Sequence, residues 1–216
     1  MKVLVICSRR YNGHELWTLL GVLQQRGIDF EVVSTALTIK DELTFQPNTI
    51  SRLVYDVSPT EVDSFDGISV VSGNMADTEA YWTDKHVISL LQAFKNAEAA
   101  KAKVISAICC SVPTLAPIAR DIKVSYFPLV RSRKHLERHG VLCQTVSLTV
   151  DRNFVTAENQ MITQMWAEEI CNILEGKAPT YHLVNSGFVP KGRERRMLKE
   201  VRRVIDEARE ARALEK

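Results

Sequence analysis

Two adjacent cysteines, Cys109 and Cys110, stand where the sequence changes from a strand pattern to a helix pattern. The apolar run 103–108 before them is typical of a buried strand, and Pro113 follows at a position that the first turn of a helix tolerates. Such an elbow lifts one side chain above the carboxyl edge of a sheet, where open α/β folds bind ligands. We therefore expect a thiol at the apex, with its thiolate favoured by the helix dipole. In the alternative interpretation both cysteines are small core residues, as free cysteines usually are.

Two arginines, Arg9 and Arg10, directly follow the first predicted strand, which spans 2–7. This position places them at the same carboxyl edge as the cysteines. There they can hold an anionic substrate or lower the pKa of the thiol. The alternative, that they are solvated loop residues, describes the commoner situation.

The sequence predicts no metal site and no cofactor. His135 and His139 are four residues apart on a predicted helix at 129–139, a spacing that can bind a metal ion. Basic side chains surround them and repel a cation: Arg131, Arg133, Lys134 and Arg138. The five cysteines are irregularly spaced without a CxxC pair, so neither a zinc site nor a disulfide framework is indicated.

The elements that must position these residues alternate between short apolar runs and longer helical patterns, which is typical of an α/β fold. Strands are predicted at 2–7, 28–34, 68–71 and 103–108, with a strand pair at 144–150 and 154–157. Helices are predicted at 15–26, 84–100, 129–139 and 159–174. Residues 35–60 show no helical period and are interpreted as an excursion or hairpin, with strand composition at 51–57.

Length and composition fit one sizeable domain: 216 residues, 45% hydrophobic and 25% charged, with a net charge of only +2. This balance gives no reason to expect nucleic acid as a partner. No apolar run reaches the roughly 18 residues of a membrane-spanning helix, so no membrane partner is expected. Residues 3–7 are too short for a signal-peptide core, which makes the cytoplasm the expected location.

The last part of the chain differs in character from the rest. Residues 191–216 carry ten basic and six acidic side chains. An apolar stripe along 193–214 predicts an amphipathic helix, which we expect to pack on its own domain rather than on a partner. We therefore divide the chain into a domain at 1–176 and a C-terminal extension at 177–216.

Five segments together resemble the ThiJ/PfpI superfamily, which includes protein deglycases, PfpI-type proteases and isonitrile hydratases. They are KVLVIC at 2–7, GHE at 13–15, VVSGN at 70–74, AICCSVPTLA at 107–116 and DRNFVTAEN at 151–159. The resemblance covers about residues 1 to 175. It implies a flavodoxin-like three-layer sandwich with a mostly parallel central sheet, and it implies a homodimer.

The resemblance also implies site residues. Cys109 corresponds to the reactive cysteine of the family, and Glu15 to the acidic residue that contacts its sulfur. A buried Glu15 would hold its proton and donate a hydrogen bond to the sulfur, whereas without the resemblance it reads as an ordinary acidic residue in a first helical turn. Backbone N–H groups of Gly73 and Cys110 are expected to form an oxyanion hole. Asn74 occupies a position where the family has glycine, and it is expected near the substrate.

Two histidines of the family are absent from this sequence. PfpI-type proteases have histidine directly after the nucleophile, where this chain has Cys110, and deglycases have histidine before a downstream proline, where Phe127 stands before Pro128. Because peptide hydrolysis needs a positioned proton carrier, proteolysis is disfavoured. His14 can substitute if it turns inward, although a solvent-facing orientation is the commoner one.

Two functions of different class follow. The first is a cysteine-dependent enzyme of glyoxalase, deglycase, hydrolase or hydratase type that acts on a small electrophilic molecule. Cys109 would be its nucleophile and Glu15 its proton partner, with Arg9, His14 and Asn74 at the substrate. The second is a redox or stress sensor that uses the same thiol without turnover, where Cys110 either resolves an oxidised Cys109 or simply packs.

Overall fold

The fold is built on a seven-stranded sheet in a computed structural model that describes residues 1–97 and 103–180. The strands are β1 (Lys2–Cys7), β2 (Arg10–Tyr11), β3 (Asp29–Ser34), β4 (Thr38–Asp41), β5 (Pro47–Thr49), β6 (Arg52–Leu53), β7 (Gly67–Val71), β8 (Val104–Ile108), β9 (Lys123–Val124), β10 (Leu142–Cys143), β11 (Leu148–Asp151) and β12 (Phe154–Ala157). The α-helices are α1 (Gly13–Gln25), α2 (Met75–Ala80), α3 (Lys85–Ala97), α4 (Val130–Arg138) and α5 (Thr163–Leu174). Short 3-10 segments lie at Val54–Asp56, Pro59–Ser64, Cys109–Ile118 and Gln160–Ile162.

The strand order of the main sheet is β11-β12-β8-β7-β1-β3-β6. Every neighbouring pair is parallel except β11 and β12, which form an antiparallel hairpin. Counted along the chain, the five central parallel strands follow the order 2-1-3-4-5 of flavodoxin-like folds, in which ligands bind at the carboxyl edge where the strand order reverses. The predicted α/β fold with a mostly parallel sheet is therefore confirmed.

Helices cover both faces of this sheet, because alternate strand residues are buried on opposite sides. Leu4 and Ile6 of β1 belong to the core that α3 covers, whereas Val3, Val5 and Cys7 belong to the core that α1 and α5 cover. A strand with both faces buried has apolar residues at consecutive positions, which explains the continuous apolar run in 2–7. The result is the expected three-layer arrangement.

A small sheet of β2, β4 and β5 lies beside the N-terminus of α1. The N–H of Glu42, which follows β4, donates to the carbonyl of Tyr11 in β2 at 2.8 Å. A methyl group on Gly13 would meet the Asp41 carboxylate at 1.9 Å, so this carboxylate packs directly on the first turn of α1. The excursion predicted for 35–60 is thus a hairpin that approaches the N-terminus of α1.

The structure corrects three predictions. The 3-10 segment Cys109–Ile118 follows the elbow in place of an α-helix, because Pro113 and Pro117 lack the N–H groups that α-helical bonding needs. Within the predicted strand segment 51–57 only Arg52–Leu53 is strand. The last predicted helix of the domain begins as a 3-10 turn and becomes α-helical at Thr163.

The helix predicted for 193–214, and with it most of the extension at 177–216, lies outside the described residues. Within the described ranges, no helix has the length and apolar character needed to cross a membrane.

Candidate active site

Cys109 sits at a strained turn directly after β8. Its φ angle of 59° lies in the left-handed region, which costs energy for a residue with a side chain. The hydroxyl of Ser111 fixes the turn, since its single proton is shared between the carbonyls of Val70 (2.7 Å) and Ile108 (2.6 Å). The Cys109 residue is partly exposed, whereas most of the segment after it is buried. The predicted elbow with a thiol at its apex is therefore present.

Glu15 approaches the elbow from α1. Asn12 caps this helix by accepting a hydrogen bond from the Glu15 N–H (3.2 Å), and the Glu15 side chain is completely buried. Its Oε2 atom accepts hydrogen bonds from the N–H (3.1 Å) and the hydroxyl (2.5 Å) of Ser72. Its Oε1 atom has no such partner among the described residues, and the Cys109 thiol interacts with the same carboxyl group. The structure thus brings together residues 15 and 109, as the resemblance implied.

Burial controls the proton of Glu15. It raises the pKa of this carboxyl to about 8, although the two hydrogen bonds from Ser72 oppose the rise. Because Oε2 already accepts two hydrogen bonds, the proton is best carried by Oε1, which has no hydrogen-bond partner among the described residues. At neutral pH the carboxyl is therefore a neutral acid and a hydrogen-bond donor.

The structure corrects the expectation that Cys109 is a thiolate at rest. Hydrogen bonding to the Cys110 thiol and burial raise the pKa of the Cys109 thiol well above its ordinary value, and Glu15 raises it further when it is ionised. The helix that was expected to stabilise the thiolate is a 3-10 segment interrupted by two prolines. The resting group is a thiol, and it lies beside a carboxyl group whose pKa has been raised towards that of a thiol. Because the pKa of the Cys109 thiol is raised as well, the proton stays on the sulfur at rest, and its transfer to an ionised Glu15 accompanies attack of the sulfur on a substrate.

Gly73 presents its N–H to the side of the sheet on which the elbow lies. Tyr11 and Gly73 form an antiparallel bridge flanked by hydrogen bonds from Asn12 to Ser72 (2.9 Å) and from Asn74 to Arg10 (2.7 Å). In a pair of this type the N–H groups of the two central residues point away from each other. Since β1 and β8 flank β7 on opposite sides, the Gly73 N–H points away from Tyr11 and towards the β8 side, where the elbow follows.

Cys110 lies beneath the apex. Its side chain is buried, and its sulfur lies 3.6 Å from that of Cys109. The indole N–H of Trp82 donates to its carbonyl at 3.2 Å. The Cys110 N–H is in the first turn of the 3-10 segment, where backbone N–H groups have no acceptor within the helix, so it remains a candidate oxyanion donor.

The other predicted substrate residues are dispersed. Asn74 uses its side-chain oxygen to cap α2, accepting from the Ala76 N–H at 3.2 Å. His14 is exposed although its neighbour Glu15 is buried, so it does not turn inward. Arg9 is exposed, and its charge acts on Asp77. Arg10 is held by Asp77 through two charged hydrogen bonds, at 2.8 and 2.9 Å.

Two contributors to the site carried no clear signal in the sequence. The Ser72 hydroxyl holds Glu15 across 57 positions of the chain. Glu42, from the hairpin, lies close enough for its charge to raise the pKa of Glu15, and burial together with Asp41 raises its own pKa to about 7. Serine at a strand end and glutamate in a loop are both common, so neither position stood out.

The segment that holds histidine in deglycases lies beside the elbow. The N–H of Phe127 donates to the Cys109 carbonyl at 3.4 Å, and the Phe127 side chain is buried. His135 and His139 lie on α4 with ring centroids 4.8 Å apart, and His135 contacts Trp82. The described residues contain no cluster of metal-ligating side chains.

Comparison with known proteins agrees with this geometry. The sequence matches the DJ-1/PfpI family over residues 1–172. The chain belongs to the DJ-1/PfpI family. An uncharacterized protein of Methanocaldococcus jannaschii is 27% identical over 175 residues, which cover 80% of this chain and 82% of that protein.

Solved structures of the family show the same fold. The ThiJ/PfpI domain protein from Brachyspira murdochii has a TM-score of 0.71 at 20% identity, covering 82% of this chain and 98% of that one. DJ-1 from Schizosaccharomyces pombe has a TM-score of 0.68 at 15% identity, covering 83% and 93%. A putative protease I from Bacteroides thetaiotaomicron has a TM-score of 0.65 at 18% identity, covering 82% and 99%.

Proposed function

We propose that this DJ-1/PfpI family protein is a cysteine-dependent enzyme that acts on a small electrophilic carbonyl or amide-like substrate. The observation that carries the proposal is the completely buried Glu15, whose carboxyl group interacts with the partly exposed Cys109 thiol. A carboxyl group is rarely buried without a charged partner, and one that exchanges a proton with a nucleophile has a chemical reason to be there.

The first step balances with these residues alone. The reactive form is the fraction of the protein in which Glu15 has released its proton to solvent, a fraction that grows as the pH rises towards about 8. In this form the Cys109 thiol gives its proton to the Glu15 carboxylate while its sulfur attacks the carbonyl carbon, so the sulfur acts as a thiolate only during attack. The negative charge that develops on the carbonyl oxygen is stabilised by the N–H groups of Gly73 and Cys110. Glu15 then returns the proton to this oxygen, and the product of addition is a hemithioacetal.

Proteolysis fits the site less well. Release of an amine from a peptide needs a proton donor on the leaving-group side. The position of the protease histidine is filled by the buried Cys110, that of the deglycase histidine by the buried Phe127, and His14 is exposed. A small aldehyde needs no such leaving group, which favours the glyoxalase or deglycase type.

Consumption of methylglyoxal tests the proposal. Wild-type protein should turn it over, Cys109→Ala should lose all turnover, and Glu15→Gln should retain the fold with a rate lowered about 10²–10⁴-fold, since the proton partner is lost. Cys143→Ser changes a thiol outside the site and should leave the rate unchanged. Turnover by Cys109→Ala, or none by wild type with methylglyoxal, glyoxal and small amides alike, contradicts the proposal.

A second candidate function, a redox or stress sensor, is favoured by a different observation. Cys109 is partly exposed while the second sulfur beside it is buried, so an oxidant reaches one member of the pair. Peroxide oxidation of Cys109 without turnover of any aldehyde would select this function.

We also propose a homodimer in the cytoplasm. Four exposed apolar side chains lie on α1 and on the β4–β5 hairpin: Trp17, Leu37, Leu43 and Phe45. A second copy of the chain could bury them. All five cysteines are unpaired, which suits a reducing compartment.

A further inference from the structure

Cys109 and Cys110 differ in access although they are neighbours. The Cys109 residue is partly exposed, whereas Cys110 retains only 6% of its accessible surface. Their sulfurs lie 3.6 Å apart, which is van der Waals contact. A small oxidant in solvent therefore meets Cys109 first, and the thiol nearest to the product is Cys110.

We propose that Cys110 is a resolving thiol, which converts oxidised Cys109 into a reversible disulfide between adjacent residues. This inference rests on the second candidate function, because it requires that Cys109 reacts with peroxide. It does not require turnover of an aldehyde. It assigns a modification site to the pair and a specific role to a cysteine that would otherwise only pack.

The chemistry uses a hydroperoxide as oxidant. The Cys109 sulfur attacks one peroxide oxygen, the O–O bond breaks, and the products are a sulfenic acid on Cys109 and water. The Cys110 sulfur then attacks the Cys109 sulfur, an S–S bond forms, and the S–O bond breaks. The hydroxide leaves as water with the proton from Cys110. In sum, two thiols lose two hydrogen atoms and one hydrogen peroxide becomes two waters.

The geometry predicts that this disulfide is easily reduced. Cα atoms of adjacent residues are about 3.8 Å apart, which is shorter than the roughly 4.4–6.8 Å of unstrained disulfides. The carbonyls of both residues are held from outside, that of Cys109 by the Phe127 N–H and that of Cys110 by the Trp82 indole. These bonds oppose relaxation of the backbone, so the oxidised pair remains strained. Strained disulfides have more oxidising potentials and are the labile, regulatory ones.

The test exposes reduced full-length protein to low hydrogen peroxide, blocks free thiols with iodoacetamide, and locates modifications by peptide mass spectrometry. In wild type we expect a peptide containing residues 109 and 110 that has lost two hydrogen atoms, resists alkylation and returns to the dithiol with dithiothreitol. In Cys110→Ser this species should be absent, and sulfinic acid on Cys109 should accumulate several-fold above wild type. Cys110→Ala provides a second variant if the serine is not tolerated, and Cys143→Ser, which removes a half-buried thiol elsewhere, should behave as wild type.

Each contrary result has a distinct meaning. If wild-type Cys109 becomes sulfinic acid while Cys110 stays available for alkylation after unfolding, the resolving role is wrong and the sensor function stands. If a disulfide forms between two chains instead, the resolving role is also wrong. If Cys109 does not react with peroxide at all, both the inference and the sensor function fail. Methylglyoxal turnover of the reduced protein reports separately on the enzyme function.

Discussion

At the scale of single residues, the site depends on a proton that Glu15 keeps because it is buried. The unfolded chain releases this proton near pH 4.5, whereas the folded protein holds it up to about pH 8. Between these values the folded state binds one proton more than the unfolded state, so stability falls as the pH rises. The stability that the bound proton of Glu15 contributes is fully present below about pH 4.5 and is lost by about pH 8.

This linkage predicts the behaviour of Glu15→Gln. The variant cannot ionise at this position, so it does not share the loss of stability that wild type suffers as the pH rises. The free energy of unfolding of Glu15→Gln, relative to that of wild type, should therefore increase by up to about 1.4 kcal/mol per pH unit between pH 5 and 8. Urea denaturation at pH 5, 6, 7 and 8 measures the difference. Asp63→Asn removes an exposed carboxyl and serves as control for the loss of a charge. A constant difference between wild type and Glu15→Gln across this range would show that the carboxyl is ionised in the folded state.

The neighbouring thiol sets the reactivity of Cys109. Because hydrogen bonding to Cys110 and burial raise the pKa of the Cys109 thiol, Cys110→Ala should lower it and move the pH profile of Cys109 alkylation to lower pH. The rate at pH 7 should rise several-fold, measured with iodoacetamide and peptide mass spectrometry. Cys143→Ser should keep the wild-type profile. If the midpoint of the alkylation profile is unchanged in Cys110→Ala, then Cys110 does not raise the pKa of the Cys109 thiol.

At the scale of elements, a glycine allows the loop after β7 to approach the loop after β1. A methyl group on Gly73 would lie 2.0 Å from the Arg10 carbonyl oxygen, 2.4 Å from the Ser8 hydroxyl and 2.6 Å from the Tyr11 Cα atom. Backbone atoms cannot give way cheaply, so Gly73→Ala must separate these two loops. Asn12, which caps α1, and through it Glu15, would then move with the loop after β1.

Gly73→Ala should therefore cost about 1–3 kcal/mol or more of stability and reduce methylglyoxal turnover strongly. Gly21→Ala is the matched control, because Gly21 lies inside α1 with no atom within 4 Å of an added methyl group. This variant should gain about 0.5–1 kcal/mol and keep its activity. Thermal unfolding and the turnover assay distinguish the two. Wild-type activity in a stable Gly73→Ala protein would contradict the close approach of the two loops.

The sequence predicted those elements whose pattern is local. The strand at Lys2–Cys7 was predicted to the residue, because a strand buried on both faces is apolar throughout. The start of the helix predicted at 84–100 was also correct within one residue: the helix begins at Lys85, directly after Asp84, whose side chain accepts from the N–H groups of His86 and Val87. Helix α2 was missed, since six residues with mixed polarity are too few to show a helical period.

Residues whose role depends on contacts between distant parts of the chain were harder to predict from the sequence. The elbow and its thiol followed from a strand ending before two cysteines, and the pairing with Glu15 came from the family resemblance. The Ser72 hydroxyl and the Trp82 indole reach the site from remote parts of the chain, at 57 and 28 positions from their partners. Periodicity describes neighbours in sequence, so contacts of this kind leave no trace in it. The proline positions were visible, but their conversion of the elbow helix to 3-10 form was not anticipated.

At the scale of the whole molecule, several exposed apolar side chains of the described residues lie on α1 and in the region of the β4–β5 hairpin. Trp17 is 50% exposed, Leu37 46% and Leu43 54%. Trp17 packs edge-on against Tyr11, whose strand pairs with β4, so α1 and the hairpin form a joint surface next to the site. Burial of such a surface against a second copy would gain roughly 25 cal/mol per Å² of apolar area.

The proposed homodimer predicts that a charge on this surface separates the protomers. In Leu43→Arg two guanidinium groups and lost apolar contacts would oppose association, so the mass in solution should fall from twice 24.4 kDa to 24.4 kDa. Val130→Arg places the same charge on an exposed apolar residue of α4 and should stay dimeric. Light scattering after gel filtration at matched concentration measures both variants. A wild-type protein that is monomeric in this experiment rules out the dimer, and a dimer that Leu43→Arg leaves intact must use another surface.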